Sequence, residues 1–220
     1  MHLSKLAAGL FTAGLLASSH AATVLSEGFD SVAALGASGW VLSNASAPVG
    51  QAWFQGNGGI FEAQAGAADA YVGANFNSTT GASGVVDNWL ISPELTLGAG
   101  ATLSFFTRAA DIGFFDTLEV RFSSGASSTP ASFSTLLATV GSADGASYPT
   151  GNWVEFTLSL PESATGRVAF RYSVADAMNA SYVGIDSVTV TAVPEPASMA
   201  LFGLGLAAMG VAARRRLQAV

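Results

Sequence analysis

Arg167-Val168-Ala169-Phe170-Arg171-Tyr172-Ser173-Val174 sets Val168, Phe170, Tyr172 and Val174 against Arg167, Ala169, Arg171 and Ser173. A period of two sends successive side chains to opposite faces of a strand, so one face is buried and the other wetter. The same alternation runs through Asn152–Leu160, where Val154, Phe156, Leu158 and Leu160 oppose Trp153, Glu155, Thr157 and Ser159. In Thr117–Ser123, Leu118, Val120 and Phe122 oppose Thr117, Glu119, Arg121 and Ser123. Further strands are expected at Val24–Phe29, Trp40–Ser43, Ala70–Asn75, Asn88–Ser92, Thr102–Arg108, Thr135–Val140 and Tyr182–Thr191. Turn clusters lie between them: Gly56-Asn57-Gly58-Gly59, Gly98-Ala99-Gly100, Ser123-Ser124-Gly125 and Thr165-Gly166. Helix signals are nearly absent from residues 23–192. About ten antiparallel strands with Gly-rich turns predict an all-β, jelly-roll-type antiparallel sandwich. A domain of this size buries about 70% of its unfolded surface and stands without disulfides.

Composition narrows the chemistry. The chain of 220 residues has no Cys, and 10% of it is charged. Its two histidines, His2 and His20, and its one lysine, Lys5, all precede residue 21. Once that leader is removed, Ser-His-Asp and Cys-His nucleophiles, Schiff-base lysines, P-loops and zinc ribbons are excluded. Residues 23–192 hold four arginines against 14 carboxylates, a net charge of −10. Such a surface repels nucleic acid and anionic lipid. It suits divalent cations, neutral glycans or proteins, and it also serves solubility alone.

Both ends read as addresses. In residues 1–22, Lys5 supplies a positive start, Leu6–Ala17 an apolar run, and Ser19-His20-Ala21 a small-residue site for signal peptidase. Cleavage after Ala21 or after Ala22 fits equally well. Residues 193–220 open on Val193-Pro194-Glu195-Pro196, which two prolines keep out of helix and central strand. Met199–Ala213 follows without a charge and ends at Arg214-Arg215-Arg216. As a helix it would measure roughly 22 Å, short of the ~30 Å hydrocarbon core, so length leaves a membrane span open. The arginines would place the bulk of the chain outside and Arg214, Arg215 and Arg216 in the cytoplasm.

Val193-Pro194-Glu195-Pro196-Ala197-Ser198, a short Gly- and Ala-rich apolar helix and a terminal Arg cluster together resemble a PEP-CTERM sorting signal. The resemblance implies Gram-negative export and recognition of Pro194, Glu195 and Pro196 by an exosortase. It also implies transient membrane contact through residues 199–213 and delivery to the surface or to an exopolysaccharide-rich biofilm matrix. The alternative is a plain C-terminal membrane anchor.

A second resemblance spans residues 26–190. Ser26-Glu27-Gly28-Phe29-Asp30 precedes Ser38-Gly39-Trp40. Asp87-Asn88-Trp89-Leu90-Ile91-Ser92-Pro93, Leu103-Ser104-Phe105-Phe106-Thr107-Arg108 and Tyr182-Val183-Gly184-Ile185-Asp186-Ser187-Val188 follow in order. Together these are similar to the choice-of-anchor J domain and to cleaved-adhesin and MAM-like jelly rolls. The resemblance implies an adhesion or binding module held at a surface, and does not imply a ligand.

Pairing of the first and last strands, common in jelly rolls, would bring Glu27, Asp30 and Asp186 together. The MAM-like resemblance implies a structural cation at such a place. Glu27 and Asp186, with Asp30 and Asp69 as further candidates, are therefore the expected Ca²⁺ donors. The alternative is that these carboxylates cap turns and strand ends. Trp153, on the face opposite the apolar one, is the candidate glycan-stacking residue, and Phe114-Phe115 is a second site where exposure is expected. Asp87-Asn88-Trp89 opens a strand in a structural role. The carboxylate pairs Asp111 with Asp116 and Glu119 with Glu155 carry no catalytic motif, so no catalytic residue and no enzyme activity are expected. The reading is an exported adhesion or binding protein. Its alternative is a structural matrix component without a discrete ligand.

Overall fold

The computed structural model describes residues 21–141 and 148–192, with Gly203, Gly205, Leu206 and Met209 of the tail. Those four tail residues are helical. Among the described residues, no helix is long and apolar enough to cross a membrane. Residues 1–20 and Pro194–Pro196, like Arg214–Arg216, lie outside the described residues, as does most of the run 199–213.

Segment Ala21–Pro194 packs as one compact unit. Its strands are β1 (Ala22–Glu27), β2 (Val41–Asn44), β3 (Phe54–Gln55), β4 (Val72–Asn75), β5 (Val86–Ile91), β6 (Leu95–Thr96), β7 (Thr102–Ala109), β8 (Thr117–Ser124), β9 (Thr135–Gly141), β10 (Val154–Ser159), β11 (Thr165–Val174) and β12 (Tyr182–Ala192). They form two antiparallel sheets. The first has the order β10-β7-β12-β4-β3, with β1 also on β12; the second has β2-β5-β11-β8-β9, with β6 on β11. The expected sandwich is present, with strand bounds close to those read from the alternation.

Alternation decides the packing of the two layers. Leu103, Phe105 and Ala109 of β7 face Leu118, Val120 and Phe122 of β8 and Val168, Phe170, Tyr172 and Val174 of β11 in one core. Phe105 meets Phe170 edge-on, with ring centroids 5.0 Å apart. A short 3₁₀ turn, Val32–Ser38, closes one side by burying Val32 and Leu35.

β12 organises the first sheet. On one edge, Tyr182–Ile185 pairs with β4 and Val188–Ala192 pairs with β1. β7 flanks the other edge, and its register slips between Asp186 and Thr189. That bulge places Ser187 at φ 51°, a conformation non-glycine residues seldom adopt. Ala22 pairs with Ala192, so the chain enters and leaves the domain at the same end. The eleven residues of β12 carry the sheet roughly 35 Å to the opposite end, where the loops 76–84, 110–116 and 175–181 gather.

Candidate functional site

The pairing of β1 with β12 sets Glu27 opposite Val188, two residues from Asp186, and backbone donors engage both carboxylates. Backbone N–H groups of Gln64 and Ala65 donate to Asp186 Oδ2 at 2.7 and 3.2 Å. The Ser187 N–H donates to Oδ1, while its hydroxyl is shared between Gln64 Oε1 at 2.8 Å and Oδ1 at 3.3 Å. Three backbone N–H groups thus hold this fully buried carboxylate. Burial pushes its pKa up, against the pull of those hydrogen bonds. Glu27 Oε1 accepts the Phe29 N–H at 2.8 Å, capping a turn in which Phe29 takes φ 55°. Asp30 lies beside Gly66: a Cβ added there would sit 3.4 Å from Asp30 Oδ1. Asp69 joins through its carbonyl, which accepts Gln55 Nε2 at 2.6 Å. Gln55 also donates to the Phe29 carbonyl and accepts the Val32 N–H. Among the described residues, no three or more His, Asp or Glu side chains gather. In this geometry the Glu27 and Asp186 side chains hold loop backbone through hydrogen bonds.

Trp153 lies on the outer face of the first sheet, as the alternation predicts, where a loop covers it in part while Glu155, Thr157 and Ser159 stay exposed. The segment 56–71 crosses it, and Phe61, Tyr71 and Tyr182 form a cluster against which Phe54 and Trp153 pack. Trp153 stands edge-on to Phe61 and Tyr71, and its indole N–H donates to the Glu62 carbonyl at 2.9 Å. The Arg108 guanidinium lies 4.3 Å from the Phe61 ring centre. Burial lowers its pKa. This geometry gives Trp153 a packing role.

The outer face of the second sheet carries a charged ladder. Arg171 Nε donates to Asp87 Oδ1 at 2.6 Å, and its NH1 reaches Glu119 Oε2 at 3.0 Å. The same Glu119 oxygen takes Arg121 Nε at 2.7 Å. Trp89 Nε1 donates to Asp87 Oδ1. Burial acts to raise the Glu119 pKa, but hydrogen bonds and charge from Arg121 and Arg171 outweigh it and hold the group low. Asp87 and Trp89 are both members of this ladder.

At the end away from Ala22 and Ala192, the three loops are stitched by backbone bonds. Phe115 N–H donates to the Asn179 carbonyl at 2.7 Å, Ala177 N–H to Gly84 at 2.9 Å, and Ala110 N–H to Tyr182 at 2.9 Å. Between them opens a cleft of about 730 Å³. Ala110, Ala177, Ala180 and Ser181 line it with small side chains, while Ile60, Phe76, Phe114 and Met178 supply larger apolar groups. Phe76 is 50% exposed and Met178 69%. Among the described residues, Asp111 is the one charged residue of the lining. Ser181 is 4% exposed, and its Oγ has no hydrogen-bond partner among the described residues.

The model of the cleaved adhesin domain matches residues 22–190, well over half of the chain. The chain belongs to the cleaved adhesin domain family. A PEP-CTERM protein-sorting motif matches residues 192–216, directly after β12. The chain is similar to the K3 cleaved adhesin domain of Lys-gingipain from Porphyromonas gingivalis, at 27% identity and TM-score 0.59, covering 79% of this chain and 99% of that one. The K1 domain of the same protein follows at 26% and 0.57, covering 76% and 97%. The K2 domain, at 20% and 0.56 with 76% and 98% covered, bears on the fold alone. No curated protein matches the chain. Domain and motif together make this an exported, adhesin-like surface protein sorted through an exosortase.

Within this cleaved adhesin domain, Phe114 is the one residue of the cleft that the sequence reading marked as an exposed aromatic. Phe76, Met178 and Ser181 carry no periodic or motif signal for a site. They come together only because three loops, far apart in sequence, end at one edge of the sandwich.

Proposed function

We propose that this protein is a surface-displayed binding module, held at one end of its sandwich and engaging its ligand at the other. The observation that carries the reading is the pairing of Ala22 with Ala192, set against a cleft that opens where β12 begins at Tyr182. A tail leaving at Ala192 tethers the end remote from the cleft, so sorting and binding do not compete for one surface. The sorting motif supports retention in the exopolysaccharide-rich matrix of a Gram-negative cell. The adhesin domain is a non-catalytic type, and the carboxylates with defined partners are engaged in holding loops and strands.

The test is the intact mass of the native protein in medium, envelope and matrix fractions, with an attachment assay on the same cells. A matrix species beginning at Ala22 or Thr23 and ending near Pro194 is expected. Attachment should fall when residues 194–216 are deleted and the protein escapes to the medium. Retention of residues 199–216 in the mature species overturns sorting in favour of plain anchoring. Attachment unchanged by the deletion overturns the binding role.

A further inference from the structure

We infer that the outer face of the first sheet carries a second binding surface, apart from the distal cleft, and that it takes a neutral polysaccharide. Strand register sets out two rows of hydroxyls there. In the first row Ser159 of β10 lies opposite Thr102 of β7, Thr102 opposite Thr191 of β12, and Thr191 opposite Thr23 of β1. The second row runs Thr157, Ser104, Thr189 and Ser26 across the same four strands. Directly opposed residues of antiparallel strands share a face. The alternate residues Leu103, Phe105 and Val190 are buried in the core, so both rows point outward. A register shift between Thr23 and Leu25 completes the array. In an unbroken strand Thr23 and Ser26 would point to opposite faces, and the extra residue returns them to one.

A ligand can reach these groups. Thr23, Ser26, Thr157 and Ser159 are exposed, and the other four are half-buried. Thr102 and Thr191 share one hydroxyl–hydroxyl bond at 2.7 Å. Ser104 and Thr189 have no hydrogen-bond partner among the described residues, yet neither oxygen is sealed from solvent. Phe106 heads the rows, two residues beyond Ser104 on the same face. Its ring is half-exposed and packs into none of the apolar clusters of the domain.

The residue types select the ligand. Serine and threonine hydroxyls both donate and accept, as sugar hydroxyls do, and the Phe106 ring offers the C–H face of a sugar its counterpart. With strands about 4.8 Å apart, four columns span roughly 14 Å, which suits consecutive rings of a chain better than one sugar. An apolar peptide would leave the covered hydroxyls unpaired, and β7 and β12 are flanked on both sides, so they offer it no free edge. Both rows are uncharged, in a domain whose four arginines face 14 carboxylates. Glu155 stands opposite Phe106. An anionic chain therefore meets repulsion, and so does a second copy of this acidic domain. Thr23 and Thr191 adjoin Ala22 and Ala192, where the chain enters and leaves. A tail leaving there holds this face toward the polymer around the anchor, while the distal cleft stays free.

The experiment is affinity electrophoresis of residues 21–194, which pack as one compact unit. Native gels are cast with dextran, galactomannan or mixed-linkage β-glucan, and with polygalacturonate as the anionic polymer. At least one neutral polysaccharide should retard the protein, and more strongly than polygalacturonate does. Thr157→Glu, at an exposed position, should raise the apparent Kd roughly tenfold at an unchanged melting temperature. Phe106→Ala should raise it about fivefold. Ala131→Glu adds the same charge in the turn Pro130–Ser132 between β8 and β9 and should change nothing. The inference is overturned if no neutral polysaccharide retards the protein, if polygalacturonate retards it more, or if Thr157→Glu and Ala131→Glu act alike. A dimer in sedimentation that Thr157→Glu dissociates would assign the face to a second copy and overturn it too. The distal cleft shares no residue with either row, so failure here leaves the earlier reading to its own attachment assay.

Discussion

Asp186 Oδ2 accepts the backbone N–H of Gln64 at 2.7 Å across 122 positions of sequence, fastening the loop over the first sheet to the bulge in β12. A buried carboxylate that accepts three backbone N–H groups is more than a strand-end cap, because it replaces solvent for a whole loop.

Asp186→Asn is the direct probe. The amide keeps one acceptor oxygen but points an NH₂ group at backbone donors, so a loss of roughly 2–4 kcal/mol in urea unfolding is expected. Chelation is the companion measurement. With Asp186 satisfied by protein donors, melting temperature should be the same in EDTA and in millimolar calcium. A rise of several degrees with calcium would restore Glu27, Asp30 and Asp69 as ligands.

The pH dependence of stability should contain two opposed contributions. Glu119 has a folded pKa below its unfolded one, so its stabilisation is full above the ordinary carboxylate range and fades as pH falls through the folded value. The penalty of Glu119→Gln should then be about 1–2 kcal/mol near pH 7 and shrink toward pH 3. Asp116 behaves oppositely: burial raises its folded pKa, despite hydrogen bonds from Tyr172 and Ser181. Its contribution is greatest at low pH and declines as pH rises from the unfolded to the folded value. Asp116→Asn should accordingly be least damaging at neutral pH. Parallel pH profiles for the two variants would contradict this assignment.

Trp153→Ala should behave as a core truncation. The ring packs on Phe61 and Tyr71 and donates to the Glu62 carbonyl. Loss of about 2–4 kcal/mol is expected, together with weaker protection of the segment 56–71 in hydrogen exchange. An unchanged stability would show that the ring is free for another partner.

The alternation in β8, β10 and β11 was enough to read two facing layers, since it reports which side chains a strand buries against its own core. It is silent about what lies on the other side. Trp153 and Arg108 sit on the face that alternation marks as wetter, and a distant loop covers them. The same limit applies to Glu27 and Asp186. That β1 and β12 pair is a property of jelly rolls and was legible. Which atoms take the carboxylate oxygens depends on the path of residues 61–70, and Gly- and Ala-rich sequence there carries no periodic signal. Ser181 and Phe76 were hidden for the same reason, being set by where loops end.

Gly184 tests how tightly the cover is fitted. It faces outward from β12, opposite Arg108, and a Cβ there would lie 2.9 Å from Trp153 and 3.0 Å from both Phe61 and Tyr71. Three ring edges on one hydrogen-sized space leave no single flexible group to yield. Gly184→Ala should therefore lift the loop from the sheet at a cost of roughly 1–3 kcal/mol, although alanine suits a strand better than glycine does. Combining it with Trp153→Ala should cost less than the sum of the two, because removing the indole clears the closest contact. Strict additivity in the double mutant would mean that Phe61 and Tyr71, rather than Trp153, set the fit.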